Sequence, residues 1–267
     1  RNQDLSGRST VIPNPKLGMD EVGIPEGIAV KIYKPFVIKR LVDAGHRPLD
    51  ARSMIEDKHP AAMRALQVEA DHRPVLMNRA PALHKFNVQA LKPRIISGKA
   101  IEVNPLIVSG FNMDFDGDTA GLHVPVSEEA RVEAFEKLLP SRNLFSPRDG
   151  GIVHAPTKET ILGIYLMTTP KGVATQSFAS DQDMIRAYRL KQIKVNEAVT
   201  VGNQTACAGQ AVLNATLPTN MQVGHTSINS RALSALLLTV GKGLKPDAAA
   251  KIISTIKDLG NHYVTDV

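Results

Sequence analysis

The stretch Phe111-Asn112-Met113-Asp114-Phe115-Asp116-Gly117-Asp118 sets a carboxylate at every second position, three within five residues. An apolar run (Leu106, Ile107, Val108) precedes it, and Leu122, His123, Val124 and Pro125 follow. Read as a loop held at both ends by buried strands, it can turn its three carboxylates toward one point. Crowding three anions is costly unless a divalent cation lies between them. Hard oxygen donors with no cysteine nearby suit Mg²⁺ or Mn²⁺ rather than zinc. Gly117 sits where a tight bend needs a residue without a Cβ. An EF-hand loop also opens Asp-x-Asp-x-Asp, but it needs Gly at its sixth position and Glu at its twelfth. Counted from Asp114, those places hold Thr119 and Pro125.

Outward from this loop the chain changes texture. From Pro74 to Val126, short apolar runs at 75–77, 95–96, 101–103 and 106–108 alternate with Gly, Pro and Asn, the pattern of a compact, loop-rich β-barrel. Residues 1–33 add further short β-type runs such as 9–12. Pro35 is expected to open a helix that Gly45 stops. Asp50 is expected to cap a second toward Ile55, and Pro60 to break the pattern before a turn around Met63 and Leu66. Ser127 is expected to cap a helix running to about Leu139. Thr157 caps another through Met167. Asn229 caps one through Val240 that Gly241 ends. Pro246 and Asp247 open a last one, with Gly260 as its stop. The interval 170–225 shows no clear periodicity. The expected architecture is therefore α+β, with a β-rich domain at 1–126 and a mostly α-helical one at 127–267.

Bulk properties narrow the function. The 267 residues are 43% hydrophobic, enough for a sizeable core. With no Trp and 4% aromatic residues, base stacking on an aromatic platform is not expected to dominate. A net charge of +6 and a pI near 9.4 favour an anionic partner such as nucleic acid or nucleotides. Cys207 is the single cysteine, which excludes a disulfide framework and a zinc ribbon. No membrane span or signal peptide is readable, so no membrane partner and a cytoplasmic location are expected. The chain opens on Arg1 inside a motif, as a piece of a longer polypeptide would.

Between Asp71 and Ala100 lie Arg73, Arg79, Lys85, Lys92, Arg94 and Lys99, opposed only by Asp71. Cations leading into a metal-binding loop suit phosphoryl transfer on a polyanion. Singly, Lys85, Lys92 and Lys99 read as an ordinary solvated face. Arg79 differs, because Pro81 in Asn78-Arg79-Ala80-Pro81 can stiffen the turn that holds its guanidinium. His84 and His123 read as hydrogen-bonding groups near the site, the other histidines have no assigned role, and Cys207 reads as inert. No Ser-His-Asp set or phosphate-binding Gly loop is present.

At this point the residues match a known family. Asn112 through Asp118 resembles the Asn-Ala-Asp-Phe-Asp-Gly-Asp signature of the largest (beta-prime) subunit of multisubunit DNA-directed RNA polymerases. Asp4-Leu5-Ser6-Gly7-Arg8-Ser9 is similar to its Ser-Gly-Arg-Ser segment. Gly23-Ile24-Pro25 and Lys34-Pro35-Phe36 follow its Gly-Leu-Pro and Lys-Pro-Phe landmarks. Arg73 through His84 is similar to its Pro-Val-Leu-Leu-Asn-Arg-Ala-Pro-Thr-Leu-His block. Gly98-Lys99-Ala100-Ile101 and His123-Val124-Pro125 fit in register, and looser matches lie at 228–234 and 258–260.

The resemblance implies a double-psi β-barrel with flanking helices, followed by a pore domain lining the channel through which substrates enter. It implies that Asp114, Asp116 and Asp118 hold a catalytic Mg²⁺, and that Arg79 and Asn112 contact the incoming nucleotide's sugar or the RNA end. Arg8, Pro81 and His84 would lie along the nucleic-acid path. The implied reaction is nucleotidyl transfer from a nucleoside triphosphate (NTP) to the RNA 3′ end. Its partners would be template DNA, the transcript and other polymerase subunits, including one carrying a second barrel. Thr119-Ala120 stands where the family usually has Gln-Met, and Thr205 through Gln210 lacks the Arg of a Thr-x-x-Gly-Arg element. Such drift suggests a divergent bacterial-like or phage-encoded lineage, hence the cytoplasm of a cell or of a host. Activity is expected only in a multisubunit complex. Two rival readings are a metal-dependent nuclease and a catalytically silent assembly subunit.

Overall fold

A computed structural model describes residues 5–156 and 158–266. They form two compact units, 1–143 and 144–267. The first begins with strands β1 (Ser6–Pro13) and β2 (Glu21–Pro25), followed by helices α1 (Glu26–Asp43), α2 (Pro48–Glu56) and α3 (Pro60–His72). Strands β3 (Val75–Asn78), β4 (Val88–Ile96), β5 (Ile101–Val103) and β6 (Thr119–His123) come next, then helix α4 (Glu128–Lys137). The six strands close into a barrel in the order β1-β5-β2-β4-β3-β6. β1 runs parallel to β5 and β2 parallel to β4, while the remaining neighbours are antiparallel. This is the double-psi barrel expected, in an α+β chain. Val22, Ile24, Val75, Met77, Leu91 and Val103 are among its fully buried residues.

Several elements differ from the sequence reading. Helix α1 starts after Pro25, not at Pro35, which lies inside it. Proline has no N–H to donate to Lys31, but Lys31 is exposed, so water can serve that carbonyl. Burial of Ala29, Ile32, Tyr33 and Val37 on one stripe holds the helix through it. Gly45, at φ +97°, does stop it. Helix α2 opens on Pro48, with Asp50 in its first turn rather than as its cap; the break expected before Pro60 is present, and Pro60 opens α3 behind the cap His59. The run at 106–108 is not a strand. Asn104 accepts a hydrogen bond from the Leu106 N–H and Pro105 starts a 3₁₀ turn, Pro105–Ile107.

Ser127 caps α4 by accepting from the Ala130 N–H at 3.1 Å. The helix belongs with the barrel. Ala134 and Leu139 pack on Ala90 of β4, and the Ala90 N–H donates to the Leu138 carbonyl at 3.0 Å. Ser141 then donates through N and Oγ to the Asp20 carboxylate at 2.9 and 2.7 Å. These contacts carry the first unit on to Asn143 rather than ending it near Ser127.

The second unit holds α5 (Lys158–Thr168), β7 (Ser177–Phe178), α6 (Asp181–Arg189), β8 (Val199–Val201), β9 (Gln204–Ala206), α7 (Ala208–Ala215), α8 (Ser230–Gly243) and α9 (Pro246–Asp266). The expected cap Thr157 lies outside the described residues. Asn229 caps α8 through the Ala232 N–H at 2.9 Å. Gly241 and Gly260 do not end their helices. Gly260 instead faces Gly163 of α5, where a Cβ on either would run into the other helix's backbone. Residues 177–215 fold as a three-stranded sheet with α6 and α7 around Met184, Ile193, Val199 and Ala211. Cys207 is buried and its thiol is pushed up to about 11 by that burial, as an inert side chain should be. Among the described residues no helix is long and apolar enough to cross a membrane.

Candidate functional site

The aspartate loop is suspended between two anchored ends. On one side Leu106, Ile107 and Phe111 are fully buried and Met113 nearly so. On the other, β6 begins at Thr119 between β1 and β3, with Thr10 opposite Thr119 and Asn78 opposite Gly121. The Val11 N–H donates to the Asp118 carbonyl at 3.0 Å, extending the β1 ladder one residue into the loop. Two left-handed residues shape the bend, Asn112 at φ +48° and Gly117 at φ +116°. Asparagine tolerates that region and glycine favours it.

The same register brings two arginines to the loop. Arg79 follows β3 and meets Asp118 side-on, Nε to Oδ2 at 2.8 Å and a terminal nitrogen to Oδ1 at 3.2 Å. Asp118 Oδ2 also accepts the Asp114 N–H at 3.0 Å. The Arg79 guanidinium first, and that N–H second, hold the Asp118 carboxyl below its ordinary value, while Asp118 raises Arg79 in return. Arg8, on β1, donates from Nε to Thr119 Oγ1 at 2.9 Å. Thr119, which departs from the family pattern, thus holds an arginine at the first residue after the aspartate loop.

The carboxylates are not gathered. Asp114 Oδ1 accepts the Phe115 N–H at 2.8 Å, and Asp116 is exposed, making no direct bond to Arg79 but adding to the negative field that raises it. Among the described residues no three His, Cys, Asp or Glu side chains are placed to hold a metal ion together. The donor chemistry nevertheless suits a hard divalent cation, since three carboxylates share one short loop. One of them already grips a cationic group, the Arg79 guanidinium.

Pro81 and His84 lie on the exposed turn after Arg79, whose Ala80–Pro81 peptide is cis. This turn is tied to the aspartate loop by a residue the sequence reading missed, Asn87. Asn87 is 1% exposed. Its Oδ1 accepts the Leu83 and His84 N–H groups, each at 3.0 Å, and its Nδ2 donates to the Phe111 carbonyl at 2.8 Å. Its one legible signal is an asparagine set between the apolar Phe86 and Val88 at the start of β4. His123 lies elsewhere, at the far end of β6 from Asp118 and bonded to Ser6 at 3.0 Å. The basic segment is also less free than its sequence suggests. Arg73 pairs with Glu69 and covers the Phe36 ring at 4.2 Å, and Arg94 pairs with Glu21. Both are structural.

Comparison with known proteins now bears on this geometry. A family model described as RNA polymerase Rpb1, domain 2, matches residues 64–139, a span that contains Arg79 and the whole aspartate loop. The DNA-directed RNA polymerase subunit beta′ of Pelotomaculum thermopropionicum is 34% identical over 98% of this chain, which covers 23% of that relative. Its counterpart in Moorella thermoacetica is 33% identical over 98% of this chain and 24% of its own length. That of Sulfurihydrogenibium is 33% identical over 98% and 17% respectively. The chain spans about a quarter or less of the length of these relatives. With the barrel, the loop and the matches in one register, the chain belongs to the family of DNA-directed RNA polymerase beta′ subunits.

Proposed function

We propose that this chain is the catalytic segment of a DNA-directed RNA polymerase. The observation that carries the reading is the aspartate loop at the start of β6, flanked by Arg79 and Arg8, in a chain of this family. In the proposed reaction the RNA 3′ hydroxyl attacks the α-phosphorus of an NTP. A new P–O bond forms, the bond to the β-phosphate breaks, pyrophosphate leaves, and the hydroxyl proton passes to solvent. Asp114, Asp116 and Asp118 are the oxygen donors for Mg²⁺, which when bound supplies Lewis-acid charge for the attacking hydroxyl and the phosphate.

The protein's own residues do the rest by position and charge. Arg79 and Asn112 present donors to the sugar of the incoming nucleotide or of the RNA end. Arg8, bonded through Nε to Thr119, the residue after Asp118, is a further cation for the nucleic-acid path. Pro81 and His84 lie on the turn that continues this surface toward the nucleic acid. No side-chain nucleophile is needed, and none is suggested by the loop. The second unit is read as the pore domain. The partners are template DNA, transcript, NTPs and further polymerase subunits, one of them carrying a second barrel, in the cytoplasm.

The test is the assembled complex incubated with a primed template, with and without NTPs and Mg²⁺. Template-directed extension supports the reading. Metal-dependent cleavage without extension makes the protein a nuclease, and neither activity makes it a silent assembly subunit. Both of those results overturn the proposal.

A further inference from the structure

We propose that Arg79 is a resident counter-ion that must leave Asp118 when a divalent metal binds the loop, so that metal loading and the freeing of Arg79 for substrate are one event. The inference rests on the reading of Asp114, Asp116 and Asp118 as metal ligands and adds a competitor within the chain itself.

Three observations carry it. First, both oxygens of Asp118 are occupied by N–H donors, Oδ1 and Oδ2 by Arg79 and Oδ2 again by the Asp114 amide. A dication approaching this carboxylate meets a guanidinium already in place. Arginine cannot yield by losing its proton at any ordinary pH, so it must move. Second, moving is cheap for the side chains and not for the backbone. The Arg79 N–H is bonded to the Asn87 carbonyl at 3.3 Å, and the Asp118 carbonyl to the Val11 N–H. The two side chains are 24% and 21% exposed, so a change of rotamer suffices. Third, the three carboxylates are not gathered while Arg79 holds Asp118. With one anion neutralised by Arg79, the loop carries less of the repulsion that a metal would relieve, and less reason to close.

Once released, the guanidinium is a donor fork beside the metal loop, placed for the hydroxyls or phosphates of a nucleotide. By linkage, an anionic nucleotide that takes Arg79 must tighten metal binding by the same factor that the metal tightens nucleotide binding.

The experiment is a Mn²⁺ titration read by electron paramagnetic resonance on the full chain in its native assembly, comparing wild type, Arg79→Gln, Arg79→Lys and Asp116→Asn. Arg79→Gln removes the competing charge and is expected to bind Mn²⁺ about two- to fivefold tighter, the scale of a partly exposed ion pair. Arg79→Lys keeps the charge and should stay within about twofold of wild type. Asp116→Asn should bind weakest. Equal or weaker binding by Arg79→Gln, with binding still lost in Asp116→Asn, overturns the exchange and leaves the metal reading standing. Binding that ignores Asp116 in every form overturns both.

Discussion

Replacing Asn87 by alanine should loosen the site without touching a charged residue. Asn87 accepts from two backbone amides and donates to one backbone carbonyl. The amides of Leu83 and His84 lie on an exposed turn, so water can replace Oδ1 there. Their loss is a net hydrogen bond each, about 0.5–1.5 kcal/mol before that replacement. The Phe111 carbonyl belongs to a fully buried residue, and its bond to Asn87 is itself buried. Leaving it unpaired costs about 1–3 kcal/mol. Together the change should destabilise the first unit by about 2–4 kcal/mol. Asn87→Asp keeps the acceptor but turns a carboxylate on the Phe111 carbonyl, so it should be worse at neutral pH and partly recover in acid, where the protonated carboxyl can donate. Chemical denaturation gives the free energy, and amide exchange at Leu83 and His84 reports the turn. A loss under about 0.5 kcal/mol with unchanged exchange at both amides would refute the account of how the two loops are joined.

Three further outcomes follow from other parts of the structure. Gly163→Ala forces a Cβ into the Gly260 backbone and should lower the stability of the second unit by about 1–3 kcal/mol, whereas Gly27→Ala, with open space around it in α1, should raise that of the first by up to about 1 kcal/mol; thermal melts of both variants check the contrast. His154 is fully buried and its imidazole is pushed down to about 3, so it stays neutral in the folded unit. As pH falls below about 6.5 the unfolded chain takes up a proton the folded one refuses, so stability should drop by about 2 kcal/mol between pH 7 and 5, and His154→Gln should flatten that part of the slope in denaturation curves. Arg79→Ala or Asn112→Ala in the assembled enzyme should weaken use of ribonucleotides more than of deoxyribonucleotides, measured as incorporation of each, and an equal loss would remove the sugar-reading role.

The barrel was legible because its strands follow short-range rules. Apolar runs are punctuated by Gly, Pro and Asn, and caps such as Ser127 and Asn229 bind the amides expected of them. Of what failed, one part depended on a partner far along the chain: Gly260 is carried inside α9 by its contact with α5. The rest was local, and Pro35 is carried inside α1 by a buried stripe at helical spacing that outweighs the proline. The apolar run at 106–108 looked like a strand, but Asn104 and Pro105 turned it into a 3₁₀ anchor for the loop. At the site, the sequence named the aspartates, Arg79 and Arg8. It did not disclose that Arg79 grips Asp118, since the two are separated by two strands and meet only through the β3–β6 register. Nor did it disclose Asn87, whose role is three backbone contacts and no charge.

The central claim is that the three aspartates of the loop hold the metal for nucleotidyl transfer. The most direct measurement is the single-turnover rate of RNA extension by the assembled enzyme carrying Asp114→Asn, Asp116→Asn or Asp118→Asn, over a range of Mg²⁺ concentrations. Loss of one ligand should cost several kcal/mol of transition-state stabilisation, a fall of about a hundredfold or more for each variant, with assembly intact. Extension within a few-fold of wild type by any of the three at ordinary Mg²⁺ would contradict the account.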